Sequence, residues 1–231
     1  MHRRSPYVLT LWLLTTGLAP SYAQQAAPAQ TTVTRGEPNF ARWESAIAKI
    51  EEAGNREPGG IVFTGSSSIV RWTTLAQDFP GLPVRNHGFG GSIVAEVTHF
   101  ADRIVVPYKP RMVLFYAGDN DLSAGRNPNQ VAADFRAFFK KVRAALPETK
   151  IAFISVKPSV LRANLLDQMR MTNDIVKEWL ITQKNAAYID VFTPMLDAHG
   201  TIRPELYVED HLHMNRKGYD IWTKVVGPYL K

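Results

Sequence analysis

The chain has 231 residues, no cysteine and a formal charge of +6, with 45% hydrophobic and 21% charged residues. That length and composition suit one domain with a substantial core, and they exclude disulfide stapling, thiol catalysis and thiolate–metal sites. The mild basicity includes no Lys/Arg run of the kind that forms a nucleic-acid arm; Lys140, Lys141 and Arg143 read as the wet face of a helix.

Residues His2, Arg3 and Arg4 precede an apolar run from Tyr7 to Ala19 and then Ser21-Tyr22-Ala23. This is the basic, apolar, small-x-small order of a secretory signal peptide, with cleavage expected after Ala23. The apolar run is too short to span a bilayer comfortably, so no membrane span is expected and the mature protein is placed in the periplasm or outside the cell. Loss of Arg3 and Arg4 lowers the formal charge from +6 to +4. Residues 24–37, rich in Gln, Ala, Thr and Pro, read as a flexible leader, leaving 38–231 as the folded domain.

Phe40, Trp43, Ile47 and Ile50 recur at helical spacing, with Gly54 closing the segment. Ile61–Thr64 reads as a strand that stops at Gly65. Ser66-Ser67-Ser68 follow, and a helical pattern runs from Ile69 through Trp72, Leu75 and Phe79 to the break at Pro80-Gly81. Val84–Asn86 is a second short strand. A helix follows with Ile93, Val97, Phe100 and Ile104 on one face and Ser92 as N-cap. Met112–Tyr116 is a continuous apolar run, the pattern of a buried parallel strand. Pro128 starts a helix that turns Val131, Phe135, Phe138 and Val142 inward and ends at Pro147. Ile151–Val156 is the fourth strand, Leu165–Lys184 a helix, Tyr188–Phe192 the fifth strand and Arg216 the start of the last helix. Strands alternating with helices predict a doubly wound α/β domain with a parallel sheet, whose functional residues lie in loops at the carboxyl ends of the strands.

The unusual loops fall at those ends: Gly65–Ser68, His87–Ser92 and Gly118–Asp121, with Asp210–His213 before the last helix. Serine becomes a useful nucleophile when a base takes its proton and a third group orients that base. Asp210 and His213 stand three apart and can form such a pair, whereas His99 reads as a helix-face residue and His199 as part of a turn. Acyl transfer also needs oxyanion donors, which a backbone N–H at Gly91 and the amide of Asn120 can supply. The inventory is that of a hydrolase. The G-x-S-x-G elbow of α/β-hydrolases is absent, because Ile69 follows the serines.

With these residues in place, the sequence resembles the SGNH (GDSL-type) ester hydrolase superfamily. Phe63-Thr64-Gly65-Ser66-Ser67 matches its first block, Asn86–Gly91 is similar to its second, Gly118-Asp119-Asn120-Asp121 to its third and Asp210-His211-Leu212-His213 to its fourth. The blocks occur in family order across residues 63–213. The resemblance implies a three-layer α/β/α fold with a flavodoxin-like five-stranded parallel sheet. It also implies Ser67 as nucleophile, His213 as base, Asp210 as its orienter and no cofactor. The oxyanion donors would be Ser67, Gly91 and Asn120. Ser66 stands where the family usually has Asp, which bears on how the turn is braced and how the pocket entrance is charged.

The expected activity is hydrolysis of a small-molecule or glycan ester, with short acyl or acetyl groups favoured because no long lid or apolar insertion is present. Two other readings remain at this point. One is a non-catalytic carbohydrate-binding domain on the same fold. The other is a Zn-dependent hydrolase using Asp210, His211 and His213, since imidazole and carboxylate suit that ion. The assignment among the three adjacent serines rests on the alignment. Amino-terminal sequencing of the exported protein is expected to begin at Gln24; a start before that residue would mean the segment is retained as an anchor.

Overall fold

Five short segments form the sheet in the computed structural model, which describes residues 36–53 and 56–231. The expected signal peptide, residues 24–35 of the leader and Gly54 lie outside the described residues. In chain order the elements are α1 (Glu44–Ala53), β1 (Ile61–Gly65), α2 (Ser67–Val70), α3 (Leu75–Asp78), β2 (Val84–Gly88), α4 (Val94–Ile104), β3 (Met112–Tyr116), α5 (Asp119–Ser123), α6 (Pro128–Ala145), β4 (Lys150–Ile154), α7 (Leu166–Ile181), β5 (Ala186–Ile189) and α8 (Arg216–Val226). All strand pairs are parallel and the order is β2-β1-β3-β4-β5. This is the flavodoxin-like doubly wound order, in a three-layer α/β/α arrangement.

Side-chain alternation along the strands builds both outer layers. Val62, Val113, Phe115, Ile151 and Phe153 point to the layer of α1, α4, α6 and α7. Ile61, Phe63, Leu114, Tyr116 and Ile154 point to the layer of α2, α3 and α8. Phe135 anchors the first layer, its ring centroid 4.6 Å from that of Phe153 and 5.2 Å from that of Phe115. Trp72 anchors the second, between Phe63, Phe79, Tyr219 and Trp222. Burying such rings contributes about 2–3 kcal/mol each, which suits a chain with no covalent cross-link.

Several boundaries differ from the sequence reading, for local reasons. The pattern from Ile69 to Phe79 is two short helices, broken where Asp78 accepts hydrogen bonds from Trp72 Nε1 and Thr74 Oγ1. Ser92 does not cap α4: Ile93 occupies that position, Glu96 takes the N–H of Ile93 and Asp121 takes that of Val94. The fifth strand is Ala186–Ile189 rather than Tyr188–Phe192, because Asp190 and Ser155 take the N–H groups of residues 191–193 and curl the chain away. α6 starts at Pro128 as expected, under a reciprocal cap between Asn127 and Gln130.

The central strand places the functional loops. Gly65 pairs with Gly88 on one side and Tyr116 on the other. It adopts φ +135°, and a Cβ there would lie 1.8 Å from the Tyr116 carbonyl oxygen. Only glycine permits that approach. Gly65→Ala is expected to cost about 2–6 kcal/mol from overpacking and backbone strain together. Urea unfolding of the variant checks this; a loss under about 1 kcal/mol would mean that the β1–β3 junction relaxes freely.

Candidate active site

The loop after β1 carries three serines that the fold treats differently. Ser66 is fully buried, its N–H donates to the Tyr116 carbonyl, and its Oγ has no partner among the described residues. Ser68 is buried, and its carbonyl accepts from Tyr219 OH. Ser67 Oγ lies 3.0 Å from His213 Nε2. Ser66, a neutral and fully buried hydroxyl, puts no charge at the turn where the family usually has Asp.

His213 stands in the irregular segment before α8, and its turn is held from several sides. Asp210 Oδ2 lies 2.6 Å from His213 Nδ1, while Oδ1 accepts the backbone N–H groups of Leu212 and His213 at 2.9 and 2.8 Å. Burial pushes the Asp210 carboxyl up, but the hydrogen bonds from the His213 ring and the two N–H groups outweigh it. The pKa therefore sits well below the usual carboxylate range. An ionised carboxylate only accepts, so Nδ1 carries a proton and, in the neutral ring, Nε2 is the acceptor for the Ser67 hydroxyl. His211, in the left-handed region at φ +56°, makes the turn possible. Its carbonyl accepts from Leu161 N–H, and Val208 N–H donates to the His213 carbonyl.

Beneath this turn lies Lys157, 1% exposed, its Nζ donating to the Leu212 carbonyl at 2.8 Å and standing over the Tyr207 ring. Burial pushes its pKa down to about 8, with Asp119 and Asp210 opposing the shift and Arg162 adding to it.

Gly91 and Asn120 meet through one turn. Asn120 Nδ2 donates to the Ser92 carbonyl at 3.1 Å, and Asn120 Oδ1 accepts from Arg162 Nη2 at 2.9 Å. The preceding Gly90 lies beside Ser67: a Cβ built on it would be 3.8 Å from Ser67 Cβ. On the outer side Gly91 faces the Trp43 ring, and its carbonyl accepts from Arg42. Arg42 also pairs with buried Glu96, which takes the N–H groups of Asn39 and Ile93. A groove of 770 Å³ runs from Val70 and Gly90 along the outer edge of β2.

Ser67, His213 and Asp210 thus form one hydrogen-bonded line, with Gly90, Gly91 and Asn120 on adjoining loops. His87 is apart from it: its Nδ1 donates to the Ile104 carbonyl, and burial, helped by Arg85 against that hydrogen bond, pushes its pKa down to about 4. His99 is a helix-face residue, stacked on Phe40. Among the described residues no three His, Asp or Glu side chains converge as metal ligands, and Asp210, His211 and His213 are no exception. Sequence reasoning missed Arg42, Glu96, Lys157 and Arg162. Glu96 carried no capping signal, because Ile93, three residues before it, has no side-chain acceptor for a capping box. The other three carried none beyond their charge.

The family model described as GDSL-like Lipase/Acylhydrolase matches residues 28–221. Three of the solved structures that share the fold illustrate the likeness. A Streptococcus pneumonia protein, provisionally described as a platelet activating factor, is 19% identical with a TM-score of 0.74, over 83% of this chain and 92% of its own. A carbohydrate esterase family 3 protein from Talaromyces cellulolyticus is 19% identical with a TM-score of 0.59, over 74% and 96%. An acetylxylan esterase from Geobacillus stearothermophilus is 15% identical with a TM-score of 0.60, over 75% and 95%. No functionally curated protein matches the sequence.

One buried acid beside the site gives a pH signature. Asp121 is fully buried; burial and the neighbouring Asp119 push its pKa up to about 7, against the Val94 N–H and Arg126. Between about pH 4 and pH 7 the folded chain holds a proton that the unfolded chain has released, so this group's contribution to stability falls as pH rises. Asp121→Asn is expected to gain on the wild type by on the order of 1–4 kcal/mol between pH 5 and pH 8. Paired urea titrations at the two pH values measure it; a constant difference would place Asp121 in an ordinary carboxylate environment.

Proposed function

The chain belongs to the GDSL-like lipase/acylhydrolase family, and we propose that it is an exported serine esterase acting on short-chain acyl, above all acetyl, esters. Family membership makes it a carboxylic ester hydrolase; the roles and the substrate are our reading. The observation that carries it is the line from Asp210 Oδ2 through the His213 ring to Ser67 Oγ, at 2.6 and 3.0 Å.

In this mechanism Ser67 Oγ attacks the acyl carbon as its proton passes to His213 Nε2. Asp210 keeps Nδ1 protonated and stabilises the imidazolium. The N–H groups of Ser67 and Gly91 and the second amide hydrogen of Asn120 donate to the negatively charged tetrahedral oxygen. One such donor is worth about 10²–10³ in rate. His213 then protonates the departing alcohol, and water, activated by the same ring, releases the acid from the acyl-enzyme.

Ser67 and Asn120 stand at the starts of the short helices α2 and α5, and Gly91 lies in the short β2–α4 loop, which supports a small acyl group lying against the backbone at Gly90. The descriptions of two structural relatives, an acetylxylan esterase and a carbohydrate esterase, support acetylated carbohydrate as the class of substrate. The pattern of residues 1–23 supports export. Among the described residues no helix is long and apolar enough to cross a membrane.

Hydrolysis of p-nitrophenyl acetate by residues 24–231 tests the reading. Ser67→Ala is expected to lower kcat by at least about 10³-fold with folding intact, in line with the loss of other serine nucleophiles. Undiminished turnover in that variant would remove Ser67 from the chemistry. A rate that rises from acetate to laurate esters would overturn the short-chain assignment.

A further inference from the structure

We propose that Arg162 is a positioning residue for this chemistry, fixing the Asn120 amide so that its N–H edge faces the reacting ester. The proposal rests on the reading of Asn120 as an oxyanion donor. A primary amide can present either its oxygen or its nitrogen to a site, and only the second stabilises an oxyanion. The two neighbours of Asn120 have fixed polarity. A guanidinium donates and never accepts, so the atom 2.9 Å from Arg162 Nη2 is Oδ1. The Ser92 carbonyl accepts and never donates, so the atom 3.1 Å from it is Nδ2. One amide hydrogen is used there and the other remains for the oxyanion.

Arg162 is itself built in. Its side chain is 13% exposed, and Nη1 donates to Asp119 Oδ2 at 2.9 Å, so a nearly buried carboxylate balances its charge. The planar fork meets two acceptors from the first two residues of α5 at once, which an ammonium on a flexible stem reproduces poorly. A cation on Oδ1 also polarises the amide and strengthens Nδ2–H as a donor. The backbone of Arg162 departs from helical geometry within the 3-10 segment Val160–Leu165. The neighbouring Leu161 N–H binds the His211 carbonyl. One short segment therefore ties the Asn120 turn to the loop that carries Asp210 and His213.

The test is a double-mutant cycle on p-nitrophenyl acetate with Asn120→Ala, Arg162→Met and the two combined, alongside inhibition by a phenylboronic acid. Removing Arg162 alone leaves Asp119 buried without its cation, so the cycle is repeated in an Asp119→Asn background, which removes both charges. Asn120→Ala is expected to lower kcat by about 10²–10³-fold. Arg162→Met should lower kcat about 10-fold or more, leave KM within about 3-fold and weaken boronate binding in parallel. The combined variant should be no slower than Asn120→Ala alone, because an amide that is absent cannot be misplaced. Arg162→Lys should recover only part of the loss. If Asn120→Ala is slow while Arg162→Met keeps its kcat, or the two losses multiply, the positioning role is wrong and the oxyanion reading stands. If Asn120→Ala keeps full kcat, the oxyanion reading fails and the inference with it.

Discussion

Everything at the candidate site depends on five strands running the same way. A parallel sheet delivers all its carboxyl ends to one edge, so loops distant in sequence emerge side by side. β1 lies in the interior of the sheet, and its last residue pairs with Gly88 on one flank and Tyr116 on the other. The residues that follow these three positions begin the Ser66–Ser68, Phe89–Gly91 and Ala117–Asn120 turns. Register therefore sets their separation. The absence of a Cβ at Gly65 lets the first turn close against the Tyr116 carbonyl.

That edge is also where the chain buries charge. Glu96, Asp119, Asp121 and Lys157 are each 2% exposed or less. An isolated buried ion is costly, so Glu96, Asp119 and Lys157 are offset by specific partners rather than by solvent, whereas Asp121 keeps its proton below about pH 7. Glu96 receives Arg42 and two N–H groups, Asp119 receives Arg162, Asp121 receives Val94 N–H, and Lys157 donates to the Leu212 carbonyl. The common feature is that each charge serves a loop. Turns of three or four residues have too little apolar surface to hold themselves, and strand ends leave backbone groups unpaired. Charge-assisted hydrogen bonds supply the rigidity that packing supplies elsewhere in the molecule.

Much of the fold was legible because hydrophobic period survives folding. Met112–Tyr116 and Pro128–Ala145 lie where their patterns put them, since one is buried on both faces and the other carries its own cap. Boundaries were less legible where a distant side chain competes for the backbone. Ser92 has the right chemistry for a cap, yet Glu96 and Asp121 take the N–H groups at that helix entry. Tyr188–Phe192 has strand composition, yet Asp190 and Ser155 bend its second half. Arg162 and Lys157 left no trace in the pattern, because a charged residue after an apolar run ordinarily faces solvent.

The sequence by itself determined the α/β class, the alternation of elements and a small set of residues at strand ends that deserved comparison. Glycine, apolar runs and turn chemistry act over a few residues, and that range is what a linear reading captures. The family resemblance already named Ser67 and His213; only the tertiary structure brought the Ser67 hydroxyl against that imidazole and decided which way the Asn120 amide points. Ser67 and His213 are 146 residues apart. Their 3.0 Å contact is fixed by sheet order, by the close approach at Gly65 and by the hydrogen bonds that hold the Asp210 turn, none of which is a property of either residue's neighbours in the chain.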